Sequence, residues 1–149
     1  MNNEALTVVK SNKIIEASFK LSISEQRIIL ACISQINSID GITMEDRYEI
    51  SVQQIADLAG LETKKALYRD LQKAADSLFE RYIIINEPDT DKRVKKIKTR
   101  WISSVSYFKD EATIGITFAQ EIIPYLTQIT ANFTKYKLTN IARFRSSHS

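Results

Sequence analysis

The chain has 149 residues, 44% of them hydrophobic, with three glycines and two prolines, which suits one globular domain with a real core and excludes a disordered chain. No apolar stretch approaches the roughly 18–20 residues of a membrane span, and the first residues lack the charged-then-apolar layout of a signal peptide. One cysteine, Cys32, excludes an internal disulfide and fits a reducing cytoplasm, while the net charge of +3 hides an asymmetry.

Residues 1–91 carry ten basic and fifteen acidic side chains (−5), whereas residues 92–149 carry eleven basic and three acidic (+8). A concentrated basic field attracts a polyanion, although the same charge also serves a solubilising surface.

In chain order, "SNKIIEAS" (11–18) predicts a short helix with Ile14 and Ile15 inward. "SISEQRIILACISQIN" opens with Ser22 and Glu25 in capping-box spacing, and Ile29, Cys32, Ile33 and Ile36 share one helical face. Gly41 marks a loop, and "RYEIS" (47–51) reads as a short strand. Ser51 caps a helix carrying Ile55, Ala56, Leu58 and Ala59, which Gly60 ends in a left-handed conformation. A longer helix starts at about Thr63, with Leu67, Leu71, Ala74, Ala75 and Leu78 on one face. Two helices joined by a tight Gly turn have the punctuation of a helix-turn-helix, a pattern that any αα-hairpin shares.

"YIIIN" (82–86) is a strand, "EPDTD" (87–91) a turn, and "VKKIKTRWISSVSY" (94–107) alternates with period two. That alternation sends Ile97, Thr99, Trp101, Ser103, Val105 and Tyr107 one way, and Lys96, Lys98, Arg100, Ile102, Ser104 and Ser106 the other. "TIGITFA" (113–119) gives a third strand with Ile114, Ile116 and Phe118 on one face. A helix is expected near 119–130, with Pro124 in its first turn, then a strand at 133–138 and a helix-like end. The order predicts an α+β winged helix, a helix-turn-helix followed by a β-hairpin wing.

Six cations crowd this wing. Lys92, Arg93 and Lys95 belong to its tip, while Lys96, Lys98 and Arg100 line one face. Such like charges repel unless a partner or solvent relieves them. Phosphate contact to double-stranded DNA is the preferred role, and a solvated edge that discourages sheet aggregation is the plainer one. On the second helix of the turn motif, Lys65, Arg69 and Lys73 recur every four residues opposite the apolar face, placed to meet DNA or simply solvent. Asp70 and Asp76 nearby oppose deep insertion into a groove.

Catalysis finds little material. The only histidine, His148, is next to last, so a His-based metal site or triad has almost nothing to work with and a nicking enzyme that binds metal through paired histidines is excluded, and Gly41, Gly60 and Gly115 lie too far apart for a phosphate loop. No cofactor or metal is expected, and Cys32 reads as a buried, inert thiol. Trp101, Tyr107 and Phe108 are assigned to the core. "YIIIN" is apolar on both faces, Tyr82 and Ile84 against Ile83 and Ile85, so one face wants cover from a second protomer or domain.

"VVKSNKIIEASFKLSISEQRIILACI", "ADSLFERYIII", "KTRWISSVSYFKDEATIGITFAQEIIPYLTQI" and "FTKYKLTNIARFRSSHS" together resemble the N-terminal half of the replication initiators of iteron-bearing plasmids. The similarity runs from about Leu6 to the end. It implies two winged-helix domains in tandem: a first that dimerises and makes auxiliary backbone contacts to DNA, and a second that reads the iterons. It also implies homodimers that repress the initiator's own gene, and monomers that work with the host replication initiator and helicase. The family's second domain is expected to open just after "SSHS", so residues 1–149 correspond to the first domain alone. A winged-helix transcriptional repressor and an interaction domain whose basic wing binds an acidic protein remain alternatives.

Overall fold

The computed structural model describes residues 6–35, 46–61, 65–109, 112–126 and 128–129. Strand β1 (Leu6–Lys10) runs into a 3-10 turn (Ser11–Lys13) and helix α1 (Ile14–Ser18). Helix α2 (Ile23–Ile33), strand β2 (Tyr48–Ser51), and helices α3 (Val52–Ala59) and α4 (Lys65–Phe79) follow. Strands β3 (Tyr82–Asn86), β4 (Lys96–Arg100), β5 (Ile102–Tyr107) and β6 (Thr113–Phe118) complete the frame before a second 3-10 turn at Ile123–Tyr125.

The local signals act as their chemistry requires. Ser22 Oγ accepts from the Glu25 N–H at 3.1 Å, while the Glu25 carboxylate accepts from the Ser22 N–H at 2.7 Å. This reciprocal box satisfies two donors that a helix start leaves open. Ser51 and Gln54 build the same box at the start of α3. Gly60 ends α3 with φ 69°, a left-handed conformation that a Cβ would oppose. Gly115 serves a different need, since a Cβ there would lie 2.8 Å from Arg47 Cδ.

The strands form two three-stranded sheets, β1-β3-β4 and β2-β6-β5. In the first, β3 is central, parallel to β1 and antiparallel to β4. The expected continuous strand 94–107 is two strands in different sheets, and Trp101 is the corner. Trp101 and Ile102 are both buried, and the strands on either side of them pair differently, β4 with β3 in one sheet and β5 with β6 in the other. The chain can change sheets there because Trp101 fills the corner and its carbonyl accepts from the Ala119 N–H at 3.1 Å. A register shift between Ile102 and Ser104 then leaves Ser103 and Ser104 both exposed.

Helix α2 is the centre of the core and is buried nearly all round, Ile28, Leu30 and Ala31 as well as Ile29, Cys32 and Ile33. α4, α3 and β2 pack against it, and Ile14, Leu78, Ile83, Ile85, Ile114, Ile116 and Phe118, drawn from the other elements of the same core, have no exposed surface. Tyr107 is a correction to the expected aromatic core: it is 45% exposed, and its hydroxyl donates to Asp76 Oδ1 of α4. Phe108 is half-buried with the Arg47 guanidinium 5.0 Å from its ring centre. The helix expected near 119–130 begins later than its first residues suggest: a turn and a short 3-10 segment (Ile123–Tyr125) carry Pro124, and helical backbone follows at Leu126, Gln128 and Ile129. Ile36, the loop at Gly41, the helix start at Thr63 and everything expected beyond residue 130 lie outside the described residues.

Candidate nucleic-acid interface

The β3–β4 hairpin carries the basic run. Asn86 pairs with Lys96, so residues 87–95 form the connecting loop. Glu87 enters it with φ 52°, and its N–H donates to the Lys95 carbonyl at 2.8 Å, closing the loop's neck. Asp91 then organises the tip by accepting the Arg93 N–H at 3.0 Å through its side chain and the Val94 N–H at 3.1 Å through its carbonyl.

The six cations divide into two groups. Lys92, Lys95, Lys96 and Lys98 are exposed, and among the described residues no carboxylate lies within ion-pair distance of any of them. Arg93, also exposed, grips Asp91 with Nε and Nη2, both at 3.1 Å, and that bonding holds the Asp91 carboxyl below the usual range. Arg100 shares the face of Lys96 and Lys98, as expected, but it is half-buried and its guanidinium is already engaged. Its Nη1 donates to the Phe79 carbonyl at the end of α4 at 3.0 Å, and its Nη2 to the Tyr82 hydroxyl at 2.6 Å. The same guanidinium lies 4.5 Å and 4.7 Å from the Phe79 and Tyr82 ring centres. Arg100 is a helix-end clamp because the strand pairing sets it opposite Tyr82.

On α4, Arg69 and Lys73 are exposed on the face away from the core, as is Asp70. Lys65 begins the helix, and its side chain lies outside the described residues. Asp76 accepts the Tyr107 hydroxyl, so it ties α4 to β5. Burial and this bond push the Tyr107 hydroxyl's pKa well above its ordinary range.

The proposed cover site at Tyr82, Ile83, Ile84 and Ile85 needs correction. Ile83 and Ile85 have no exposed surface, because they point into the chain's own core. Only Tyr82 and Ile84 reach the outer face, where the strand register builds three rows: Leu6–Tyr82–Arg100, Val8–Ile84–Lys98 and Lys10–Asn86–Lys96. Leu6 and Val8 are 42% and 53% exposed, and Lys98 Nζ sits 5.1 Å from the Tyr82 ring centre. β1 and Lys10 escaped the sequence reading, although the β-branched run "TVV" was a strand signal.

Also missed was the tie beneath this frame. Glu25 has no exposed surface; its carboxylate accepts from Ser77 Oγ at 2.7 Å and from Arg81 Nε and Nη2 at 3.0 Å each. The capping spacing revealed Glu25 but not these partners 52 and 56 positions away. No group of three or more His, Cys, Asp or Glu that could hold a metal occurs among the described residues. None of their helices is long and apolar enough to cross a membrane.

The sequence model of the family described as "Initiator Replication protein, WH1" matches residues 7–149. A replication initiation protein of Escherichia coli is 28% identical over 146 residues, which are 97% of this chain and 44% of that protein. The chain therefore spans less than half the length of that relative. The crystal structure of the WH1 domain of MSBI1.176, a replication protein isolated from a multiple sclerosis patient, superposes with a TM-score of 0.71 and 31% identity. That match covers 86% of this chain and 97% of the other. The Pi initiator protein, solved in complex with iteron DNA, shares the fold at a TM-score of 0.64 and 19% identity, covering 80% of this chain and 49% of that one. With a family match over nearly its whole length and an α+β winged-helix architecture to go with it, the chain belongs to the WH1 family of initiator replication proteins.

Proposed function

We propose that this chain is the N-terminal module of a plasmid replication initiator that attaches to origin DNA through phosphate contacts, without catalysis. The observation that carries the reading is the set of exposed lysines on one hairpin, Lys92, Lys95, Lys96 and Lys98, none paired with a carboxylate among the described residues. Duplex DNA carries about one negative charge per 1.7 Å of axis, and such cations gain by releasing its counterions. Arg69 and Lys73 on α4 would add contacts, with Lys65 at its start. Arg100 acts by fixing the hairpin against α4. The complex of the Pi initiator with iteron DNA supports the reading, since that protein shares this fold.

Under this reading the module pairs with a second copy through the outer face of the first sheet, where Leu6, Val8, Tyr82 and Ile84 are the apolar residues. A further domain of the longer initiator reads the iterons, and the host replication initiator and helicase join at the origin. The reducing cytoplasm suits Cys32, whose thiol is fully buried and pushed far above its ordinary pKa by that burial.

The test is a salt titration of binding to random and iteron-containing duplexes. Replacing Lys96 and Lys98 together by Ala should lower the slope of log affinity against log salt by about two contacts' worth, roughly 1.8. A slope unchanged by the double substitution would sink the phosphate-contact role.

A further inference from the structure

Beside the wing tip lies an open cleft of about 690 Å³ between the end of β1 and the 87–95 loop. Lys10, Asn12, Glu87, Asp89, Lys92 and Lys95 are on its walls. The cleft is held in shape by the fold. Ser11, 2% exposed, accepts the Asp89 N–H at 3.2 Å, and its hydroxyl donates to the Tyr125 hydroxyl at 2.9 Å. The Glu87–Lys95 backbone bond shuts the loop's neck from the other side. A preorganised opening of this kind loses little on binding.

Its electrostatics are unbalanced. Lys10, Lys92 and Lys95 are exposed lysines around one concavity. Although Glu87 and Asp89 share the walls, neither comes within ion-pair distance of a lysine among the described residues. Three ammonium groups around a concavity repel one another and call for an anion with several oxygens. Of the other polar groups on the walls, Arg93 is paired with Asp91 and Ser11 is held by Asp89 and Tyr125, while the two carboxylates and the Asn12 amide suit a ligand that brings hydroxyl or amino donors beside its phosphate. The register sets Lys10 on the same outer row as Lys96, with Asn86 between them, so cleft and strand face form one basic surface.

We propose that this cleft is a phosphate-ester site in which Lys10, far from the 92–100 run in sequence, acts with Lys92 and Lys95. The phosphate has two possible sources, the backbone of a bound duplex or a free phosphorylated compound. The former deepens the DNA-contact reading above and rests on it.

The experiment follows the backbone amides of Ser11, Asn12, Lys92 and Lys95 by NMR in the 149-residue chain. A short random duplex and inorganic pyrophosphate are titrated separately. Lys10→Ala, Lys96→Ala/Lys98→Ala and the distant control Lys20→Ala are compared for salt slope. A duplex-induced shift, with a slope reduced by roughly 0.9 in Lys10→Ala and unchanged in Lys20→Ala, assigns a backbone phosphate. Shifts of the same amides with pyrophosphate alone, abolished by Lys10→Ala, assign a free phosphate compound, and the cleft then stands even if duplex binding fails. If neither probe moves these amides, or if Lys20→Ala weakens binding as much as Lys10→Ala, the cleft proposal is overturned. A slope lost only in Lys96→Ala/Lys98→Ala would overturn the cleft and leave the wing reading intact.

Discussion

Glu25 is a charged residue with no exposed surface, and its position is tolerable because four donors, from Ser22, Ser77 and Arg81, are aimed at its carboxylate. Burial works to raise its carboxyl pKa. The bonds from Arg81, the Ser22 N–H and Ser77 outweigh that effect and hold it below the ordinary 4.5. Removing one partner of such a buried pair costs about 3–5 kcal/mol, so Glu25→Gln should destabilise the chain by about 3 kcal/mol at neutral pH. Because the folded carboxyl titrates below the unfolded one, its stabilisation is complete above about pH 5 and fades as pH falls through the folded value. Urea denaturation from pH 7 to pH 3 should therefore show wild-type stability falling toward that of Glu25→Gln; a constant gap between them would contradict the assignment. Arg81 supplies the matching cation, and its two-point grip fixes the direction in which β3 leaves α4.

At the scale of elements, the hairpin's placement rests on Arg100. This side chain satisfies the Phe79 carbonyl, one of the acceptors a helix end leaves open, while stacking on two rings. Arg100→Ala should lower unfolding free energy by about 2 kcal/mol, summing a charge-assisted hydrogen bond and a cation–π contact. Lys98→Ala, which removes an exposed cation over one ring face, should stay within about 0.5 kcal/mol. Equal effects from the two substitutions in chemical denaturation would dismiss the distinction drawn between them. The edge strand β4 otherwise presents lysines to solvent, which also guards it against pairing with another sheet edge. The Ser11 hydroxyl ties the loop at Asp89 to Tyr125, so the wing tip is anchored to the body at its base.

For the molecule as a whole, the outer face of the β1-β3-β4 sheet combines an apolar stripe with a basic margin. Leu6, Val8, Tyr82 and Ile84 lie toward β1, while Lys96 and Lys98 line β4. The proposed protomer pairing uses the stripe and leaves the margin for phosphates. Ile84→Asp would place a carboxylate in the stripe at a half-buried position, so light scattering should find it monomeric at concentrations where the parent chain pairs. A parent chain that remains monomeric throughout would remove the pairing. The two surfaces adjoin, so pairing and DNA attachment are expected to influence one another.

Local chemistry was legible in the amino-acid sequence by itself. Ser22–Glu25 and Gly60 marked helix ends because capping depends on neighbours a few positions away, and the fold class and basic run followed from periodicity and composition. Tertiary structure decided what depends on distant partners. It split 94–107 into two sheets at Trp101, buried Ile83 and Ile85, turned Arg100 from a surface cation into a clamp, and brought Lys10 to the wing tip. Each outcome depends on which strand lies alongside, and pairing between residues far apart in the chain is set by the packed core, which no local pattern records.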